Sequence, residues 1–225
     1  MTFVISPYMI GPPDAEVEYL TGTDLSASSS PSGTINFGTA TADRRIIVNV
    51  HFVSAGGSPA MSSGTIGGVS ATIHTQIATT SGDDFVRRGI AIISAIVPTG
   101  TSGTLAMSFN TSVTCRVEPY RTKGLVTGPT DSASIKGNAT HTTPQTVQVD
   151  VLKGGVIIAA GNAQSGGSDT VTGATKDYNF LSITANNYVT GASLIPTADE
   201  LNRSISLTRT SGGSGPFSWG AASFR

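Results

Sequence analysis

Short apolar runs, separated by small polar residues, recur along the whole chain. Examples are "RRIIVNVHFV" (residues 44–53), "FVRRGIAIISAIVP" (85–98), "TLAMSF" (104–109) and "SVTCRVEPY" (112–120). Each run is rich in β-branched or aromatic residues and is bounded by Gly, Ser, Asn or Pro, which is the pattern of β-strands. No segment sustains a 3.6-residue period, and "TADELNRS" (197–204) predicts a single helical turn at most. The pattern therefore predicts an all-β protein.

The order of these runs repeats. Residues 96–109 read "IVPTGTSGTLAMSF", and residues 194–207 read "LIPTADELNRSISL". In each half, an apolar strand and a Gly/Ser-rich loop come before this phrase, and a final strand follows it. We therefore predict two pseudo-repeats, residues 17–123 and 124–225.

A half of this size must bury one face of its sheet against another layer. Two architectures satisfy this requirement. In the favoured one, both pseudo-repeats contribute to one antiparallel, jelly-roll-like β-sandwich over residues 17–225. In the alternative, each forms an immunoglobulin-like sandwich and the two stand in tandem. The connection "TKGLVTGPTD" (122–131) has no long flexible tract, which favours the compact sandwich.

The first 16 residues predict an N-terminal arm. Pro7, Gly11, Pro12 and Pro13 are incompatible with a regular helix or a central strand. The apolar side chains between them are unsuited to a solvated tail, so we expect the arm to lie against its own sandwich or a neighbouring subunit. The candidate assembly contacts are Phe3, Val4, Ile5, Tyr8, Met9 and Ile10.

Composition and charge narrow the range of partners. Hydrophobic residues make up 38% of the chain and charged residues 12%, with a net charge of −1 and a pI near 6.3. There is no basic stripe for nucleic acid, no polybasic patch for lipid and no apolar run of membrane-spanning length. The N-terminus lacks the basic region of a signal peptide, so we expect synthesis in a cytoplasm and no nucleic-acid or membrane partner. Cys115, the one cysteine, is interpreted as a buried strand residue.

Candidate catalytic and metal-binding groups do not form a recognisable motif. The histidines, His51, His74 and His141, lack zinc-site spacing. The acids occur as neighbours rather than as a pair facing across a groove, and we interpret them as turn-stabilising or strand residues; they are Glu16, Glu18, Asp83, Asp84, Asp199 and Glu200. Two arginine pairs, Arg44–Arg45 and Arg87–Arg88, are interpreted as solvated strand ends. We therefore predict no catalytic residues, no cofactor, no metal and no enzymatic activity.

Two aromatic residues are candidates for contact with a ligand. Phe217 and Trp219 follow the glycines of "SGGSGPF", where a loop could present their rings to a sugar.

The phrases "RRIIVNVHFV", "TIGGVSATI", "RGIAIISAIVPTGTSGTLAMSF", "KGGVIIAAGNA", "GASLIPTA" and "SWGAASF" together resemble a recurring class of tailed-phage and prophage virion-associated β-sandwich proteins. The resemblance spans residues 44–225. It implies a structural virion component, such as a head decoration, spike or tail accessory subunit, with copies of itself and other virion proteins as partners. The alternative is a receptor- or glycan-binding module of a tail or head fibre, with a host surface glycan as ligand.

Overall fold

The structure is a computed structural model that describes residues 15–79, 86–126, 128–137, 144–164, 168–182, 187–209 and 215–225. These residues form eighteen β-strands and no helix. The first half contains β1 (Glu16–Tyr19), β2 (Thr23–Ser28), β3 (Ser32–Asn36), β4 (Arg45–Ser54), β5 (Met61–Ile66), β6 (Val69–Ser70), β7 (Thr72–Ala78), β8 (Arg87–Ile96), β9 (Ser102–Phe109) and β10 (Val113–Lys123). The second contains β11 (Pro129–Gly137), β12 (Gln145–Val151), β13 (Val156–Gln164), β14 (Asp169–Thr172), β15 (Thr175–Ser182), β16 (Asn187–Leu194), β17 (Glu200–Arg209) and β18 (Phe217–Phe224).

The strands form four antiparallel sheets. Inner sheet 1 has the order β1-β10-β4-β8-β7, with β2 also on β10, and outer sheet 1 has the order β3-β9-β5-β6. Inner sheet 2 has the order β11-β18-β13-β16-β15, and outer sheet 2 has the order β12-β17-β14. If β1 and β2 are taken together, and the short β6 is set aside, the two halves have the same strand order. In each half the first strand pairs with the last and the second with the seventh, which is jelly-roll connectivity.

The sheets stack as four layers, with the inner sheets in the middle. One apolar core lies between inner and outer sheet 1, a second between the two inner sheets, and a third between inner and outer sheet 2. Successive strand residues point to opposite faces. On β4, Ile46 and Val48 therefore enter the first core, while Ile47 enters the second. An inner strand is buried on both faces, which explains the continuous apolar runs in the sequence.

Side-chain size is complementary across the two inner sheets. The β13 and β18 segments "VIIAAGNA" and "FSWGAASF" carry alanine and glycine where the first half presents isoleucine. A Cβ atom on Gly220 would lie 3.0 Å from Cδ1 of Ile90. Small residues on one sheet therefore make room for large ones on the other, as close packing of sheet faces requires.

The all-β, antiparallel sandwich class predicted from the sequence is confirmed. The distribution of strands differs from the favoured arrangement, because β1–β10 and β11–β18 each build their own pair of sheets. The two sandwiches stand in tandem, as in the alternative, but their connectivity is that of jelly rolls. One local prediction also changes. The "TADELNRS" segment, predicted to form a single helical turn at most, is a bend followed by β17.

Equivalent positions in the two halves use different chemistry. Met61 of β5 is the partner of Phe109 of β9 in the first half, and Asp169 of β14 is the partner of Arg209 of β17 in the second. The first pair is apolar, whereas the second is an ion pair with an Nε–Oδ1 distance of 3.1 Å and side chains 3% and 1% exposed. Equivalent positions of the two outer sheets are thus occupied by an apolar pair in the first half and by an ion pair in the second.

The two similar segments, residues 96–109 and 194–207, also differ in which core their side chains enter. Val97 of "IVPT" enters the core of the first sandwich, whereas Ile195 of "LIPT" packs against the core between the inner sheets. The two segments follow equivalent strands, β8 and β16, but their inward positions are offset by one residue. Because the side-chain period of a strand is two, such an offset moves each side chain to the opposite face.

Candidate functional site

Buried polar and titratable side chains concentrate where the two inner sheets meet. We call this set the junction cluster: Tyr19, Asn49, His51, Arg116, Glu118, Tyr120, Asp177 and Tyr178. Asn49 and His51 share the β4 face of Ile47, so strand alternation directs them towards the second half. A polar group this deeply buried requires a hydrogen-bond partner, and here the partners come from the opposite sandwich.

Tyr178 of β15 is the centre of the cluster. Its hydroxyl accepts a hydrogen bond from Asn49 Nδ2 at 3.0 Å and lies 2.8 Å from His51 Nε2. The Asn49 amide also donates to the Ala159 carbonyl at 3.0 Å. The Tyr178 ring lies over Gly191, where a Cβ atom would be 2.1 Å from a ring carbon. Glycine at this position is therefore what allows the tyrosine to reach across to the first half.

Glu118 of β10 organises the neighbouring part of the cluster. Its carboxylate accepts hydrogen bonds from Tyr19 Oη at 2.7 Å, the Gly22 amide at 2.9 Å and Arg116 Nε at 2.5 Å. Arg116 also pairs with Asp24 at 3.1 Å, and its guanidinium lies 5.0 Å from the centre of the Phe180 ring of the second half. These bonds fasten the turn between β1 and β2 to β10.

Burial is the main cause of the pKa shifts of the histidine, the tyrosines and the two carboxyl groups in the cluster. It lowers the pKa of His51 to about 3, with the Arg116 charge acting in the same direction. It raises the pKa of Glu118, against the hydrogen bonds from Arg116 and Tyr19, and it raises the pKa of Asp177. It also raises the pKa of Tyr178. His51 and Tyr178 are therefore neutral near pH 7 and act as hydrogen-bonding groups.

A second set of polar bonds crosses the same junction. The Asn162 side chain of β13 donates to the carbonyls of Phe52 at 3.0 Å and Gly89 at 3.1 Å. Ser218 donates to the Arg88 carbonyl at 2.8 Å. Tyr120 donates to Asp177 at 2.9 Å. These directional bonds fix the register of one sandwich on the other, which apolar contact alone would leave free to slide.

This junction was not predicted from the sequence, although the sequence contains a signal for it. Asn49 and Asn162 are polar interruptions within apolar runs, "IVNVHF" and "IAAGNA". Such a residue on a strand buried on both faces indicates a required hydrogen-bond partner. The identity of that partner depends on which sheets stack, and no local pattern contains that information.

The predicted site residues have different outcomes. Phe3, Val4, Ile5, Tyr8, Met9 and Ile10 lie outside the described residues. Phe217 and Trp219 are 3% and 0% exposed, so the prediction that their rings face a ligand is wrong. Both belong to the core between inner and outer sheet 2, and Trp219 Nε1 donates to the Ile205 carbonyl at 3.1 Å. They follow a loop in sequence, but β18 is a central strand with neighbours on both sides.

The other residues singled out in the sequence are mostly structural. Cys115 is buried on β10, as predicted. His51 and His74 lie on β4 and β7, while His141, Asp83 and Asp84 are outside the described residues. Within the part of the chain that the structure describes, no three His, Cys, Asp or Glu residues are placed to hold a metal ion.

The interpretation of the arginine pairs as solvated strand ends is wrong. Arg44 is fully buried, and its guanidinium donates to the carbonyls of Phe37, Gly38, Val97, Thr99 and Gly100 at distances of 2.7–3.3 Å. Arg88 is 2% exposed and donates to Asn187 of the second half. Arginine offers several donors in one plane, which suits it to collecting backbone carbonyls where strands end.

Two open grooves lie on the outer part of the first sandwich. One, of about 460 Å³, lies on outer sheet 1 and is lined largely by serines, including Ser32, Ser63 and Ser108. Another, of about 520 Å³, lies between the β5–β6 turn and the β8–β9 loop. Among the described residues there is no helix with the length and apolar character needed to span a membrane.

Comparison with known proteins adds no relative: no family model, no curated protein and no solved structure matches this chain.

Proposed function

We propose that the protein is a non-enzymatic structural component of a bacteriophage or phage-like virion, which assembles as an oligomer through its β-sandwich and its N-terminal arm. The observation that carries this proposal is the four-layer stack. Each jelly roll commits one full sheet face to the other, and the hydrogen bonds of Asn49 and Asn162 fix their relative position. Two jelly rolls held in a fixed relative position form a rigid subunit, which is suited to packing between neighbouring subunits of a particle.

The outer faces of the stack support the same proposal. Exposed positions on outer sheet 1 are mainly serine, threonine and asparagine, including Ser32, Thr34 and Thr104. Those on outer sheet 2 include Thr146, Gln148, Thr170, Thr172 and Ser204. Small uncharged side chains let two such faces approach without charge repulsion or the loss of much side-chain entropy.

The fold supports the proposal by analogy. Jelly rolls recur in viral capsid proteins and also in lectins, so the connectivity by itself favours neither. The resemblance of residues 44–225 to phage virion proteins favours the first. No disulfide is needed for rigidity, because three apolar cores hold the four sheets together.

The proposal is tested on the particle and on the purified chain. Virions of the parent phage, purified on a density gradient, should contain this chain at a fixed copy number by quantitative mass spectrometry. Sedimentation of the isolated chain should give a discrete oligomer. A chain that is absent from the particles and monomeric at all concentrations would contradict the proposal.

Receptor or glycan binding is the second candidate, and the serine-lined groove on outer sheet 1 favours it. Hydroxyl groups from β3, β5, β6 and β9 converge there and could bond to sugar hydroxyls. A host glycan array would test this role. Saturable binding that is abolished by Ser63→Trp would support it. The matched control, Thr146→Trp on outer sheet 2, should leave the binding intact.

A further inference from the structure

The exposed large apolar side chains are distributed unevenly over the described residues. There are six: Val69, Ile96, Val126, Leu152, Leu181 and Leu201. Leu181 is near the end of β15, beside the start of β16. The other five lie at the opposite end of the stack, which we call the arm end.

The connectivity explains why these five residues share one end. Ile96 ends β8 and is the partner of Arg45, which begins β4, and Val126 follows β10. In the second half, Leu152 precedes β13 and Leu201 lies at the start of β17. The two halves meet here because the Ala15 amide, next to β1, donates to the Gly154 carbonyl of the β12–β13 turn at 2.8 Å. Val69 lines the groove beside Val97 and Pro98, directly after Ile96.

That groove belongs to the arm end. It has a volume of about 520 Å³, and its apolar lining includes Phe37, Val69, Val97 and Pro98. Gly68 and Gly100 form part of its rim, both with positive φ, and no side chain fills the space above Gly68. The groove therefore offers an apolar surface for an incoming side chain and exposed backbone groups for hydrogen bonding.

Three ion pairs lie at the arm end. Lys123 pairs with Glu16 at 2.7 Å, Arg121 with Glu18 at 2.8 Å, and Arg203 with Glu200 at 2.5 Å. An uncharged segment could lie across this end and leave these three ion pairs intact.

The chain itself supplies a segment of this kind, and it leaves from the same end. Ala15 is 2% exposed, and residues 1–14 precede it. From Thr2 to Pro13 there is no charged side chain, while Phe3, Val4, Ile5, Tyr8, Met9 and Ile10 are apolar. Fourteen residues span at most about 50 Å, which exceeds the few strand widths between Ala15 and the exposed leucines.

We propose that the arm end is a docking surface for residues 1–14 of a second copy of this chain. The inference rests on the proposed function, since it specifies how copies associate. Two copies that meet end to end about a two-fold axis each donate an arm and receive one. The patch is thus self-complementary, and the contact closes as a dimer.

Cysteine cross-linking tests the contact directly. Tyr8→Cys is placed in one tagged full-length chain and Leu201→Cys in another, and the mixture is oxidised mildly. Cys115 does not compete, because it is buried and burial raises the pKa of its thiol to about 12. We expect a disulfide between the two chains. The matched control, Leu181→Cys at the far end, should not cross-link to Tyr8→Cys.

A chain that carries both Tyr8→Cys and Leu201→Cys distinguishes an exchanged arm from one that folds back. If it forms only an internal disulfide and remains a monomer, the arm covers its own sandwich and the proposal is overturned. Equal cross-linking of Leu181→Cys and Leu201→Cys would also overturn it.

Association measurements separate this inference from the proposed function. Leu201→Asp and Val126→Asp should each weaken self-association about tenfold or more, as the loss of one buried apolar side chain predicts, whereas Leu181→Asp should not. An oligomer that is unaffected by the first two variants overturns the arm-end contact and leaves the structural role standing. A wild-type chain that is monomeric throughout contradicts both.

Discussion

The buried ion pair between Asp169 and Arg209 allows a sharp test of how the two halves are built. Asp169 Oδ1 bonds to Arg209 Nε at 3.1 Å, and its Oδ2 accepts hydrogen bonds from Thr190 at 2.6 Å and Asn179 at 3.2 Å. The equivalent pair in the first half is Met61 and Phe109. The perturbation is to replace the ion pair by that apolar pair, first one residue at a time and then both together.

The structure sets the expected magnitudes. With side chains 3% and 1% exposed, solvent screens the pair very little, so Asp169→Met should remove the carboxylate from a buried guanidinium and cost about 3–5 kcal/mol of the free energy of unfolding. Arg209→Phe should have a cost of the same order. The double variant removes both buried charges, and the groups that lose a hydrogen bond include the neutral donors of Thr190 and Asn179 and the Gln164 carbonyl. It should therefore be more stable than either single variant by about 1–2 kcal/mol.

Urea unfolding at pH 7 measures these differences. Trp219 is the only tryptophan and lies in the core of the second half, so its fluorescence reports on the sandwich that contains the pair. A loss of about 4 kcal/mol lowers the midpoint by about 2 M for a slope near 2 kcal/mol/M. If the loss in the double variant equals the sum of the two single losses, the residues do not act as a pair and the reasoning is refuted.

Three further outcomes follow from the junction and the cores. Gly191→Ala should be strongly destabilising, because its Cβ atom would lie 2.1 Å from the Tyr178 ring, whereas Gly56→Ala, with no atom within 4 Å, should be nearly neutral in the same thermal melts. The pKa of His51, about 3 when folded against an ordinary value of 6.5, means that stability is complete above pH 6.5 and is lost as the pH falls towards 3. His51→Gln should reduce this acid loss, which reaches about 4 kcal/mol, and an unchanged acid limb would exclude His51 as its source. Cys115 should resist a thiol reagent at pH 8 until urea unfolds the chain; reaction of the native protein at the unfolded rate would contradict its burial.

Much of the secondary structure could be predicted from local sequence pattern. The runs around β4, β8, β9 and β10 are recognisable as strands because their β-branched residues and Gly/Ser boundaries are local properties. The repeated order of segments also corresponds to a repeated sheet order. Prediction was less successful where two signals conflicted. Trp219 follows a glycine-rich loop but lies in a central strand, and Arg44 is charged but binds buried carbonyls.

The class of fold follows from local sequence pattern, because the side-chain period of two and the spacing of turn residues act over a few residues. The sequence also contained the polar interruptions Asn49 and Asn162, but not their purpose. Three features emerge only in the folded chain: each half closes its own sandwich, the inner sheets stack, and Tyr178 contacts His51, which is 127 residues away in sequence. The physical reason is that stacking depends on the total shape of two sheet faces. It is therefore a property of residues far apart in the chain, which no short window can contain.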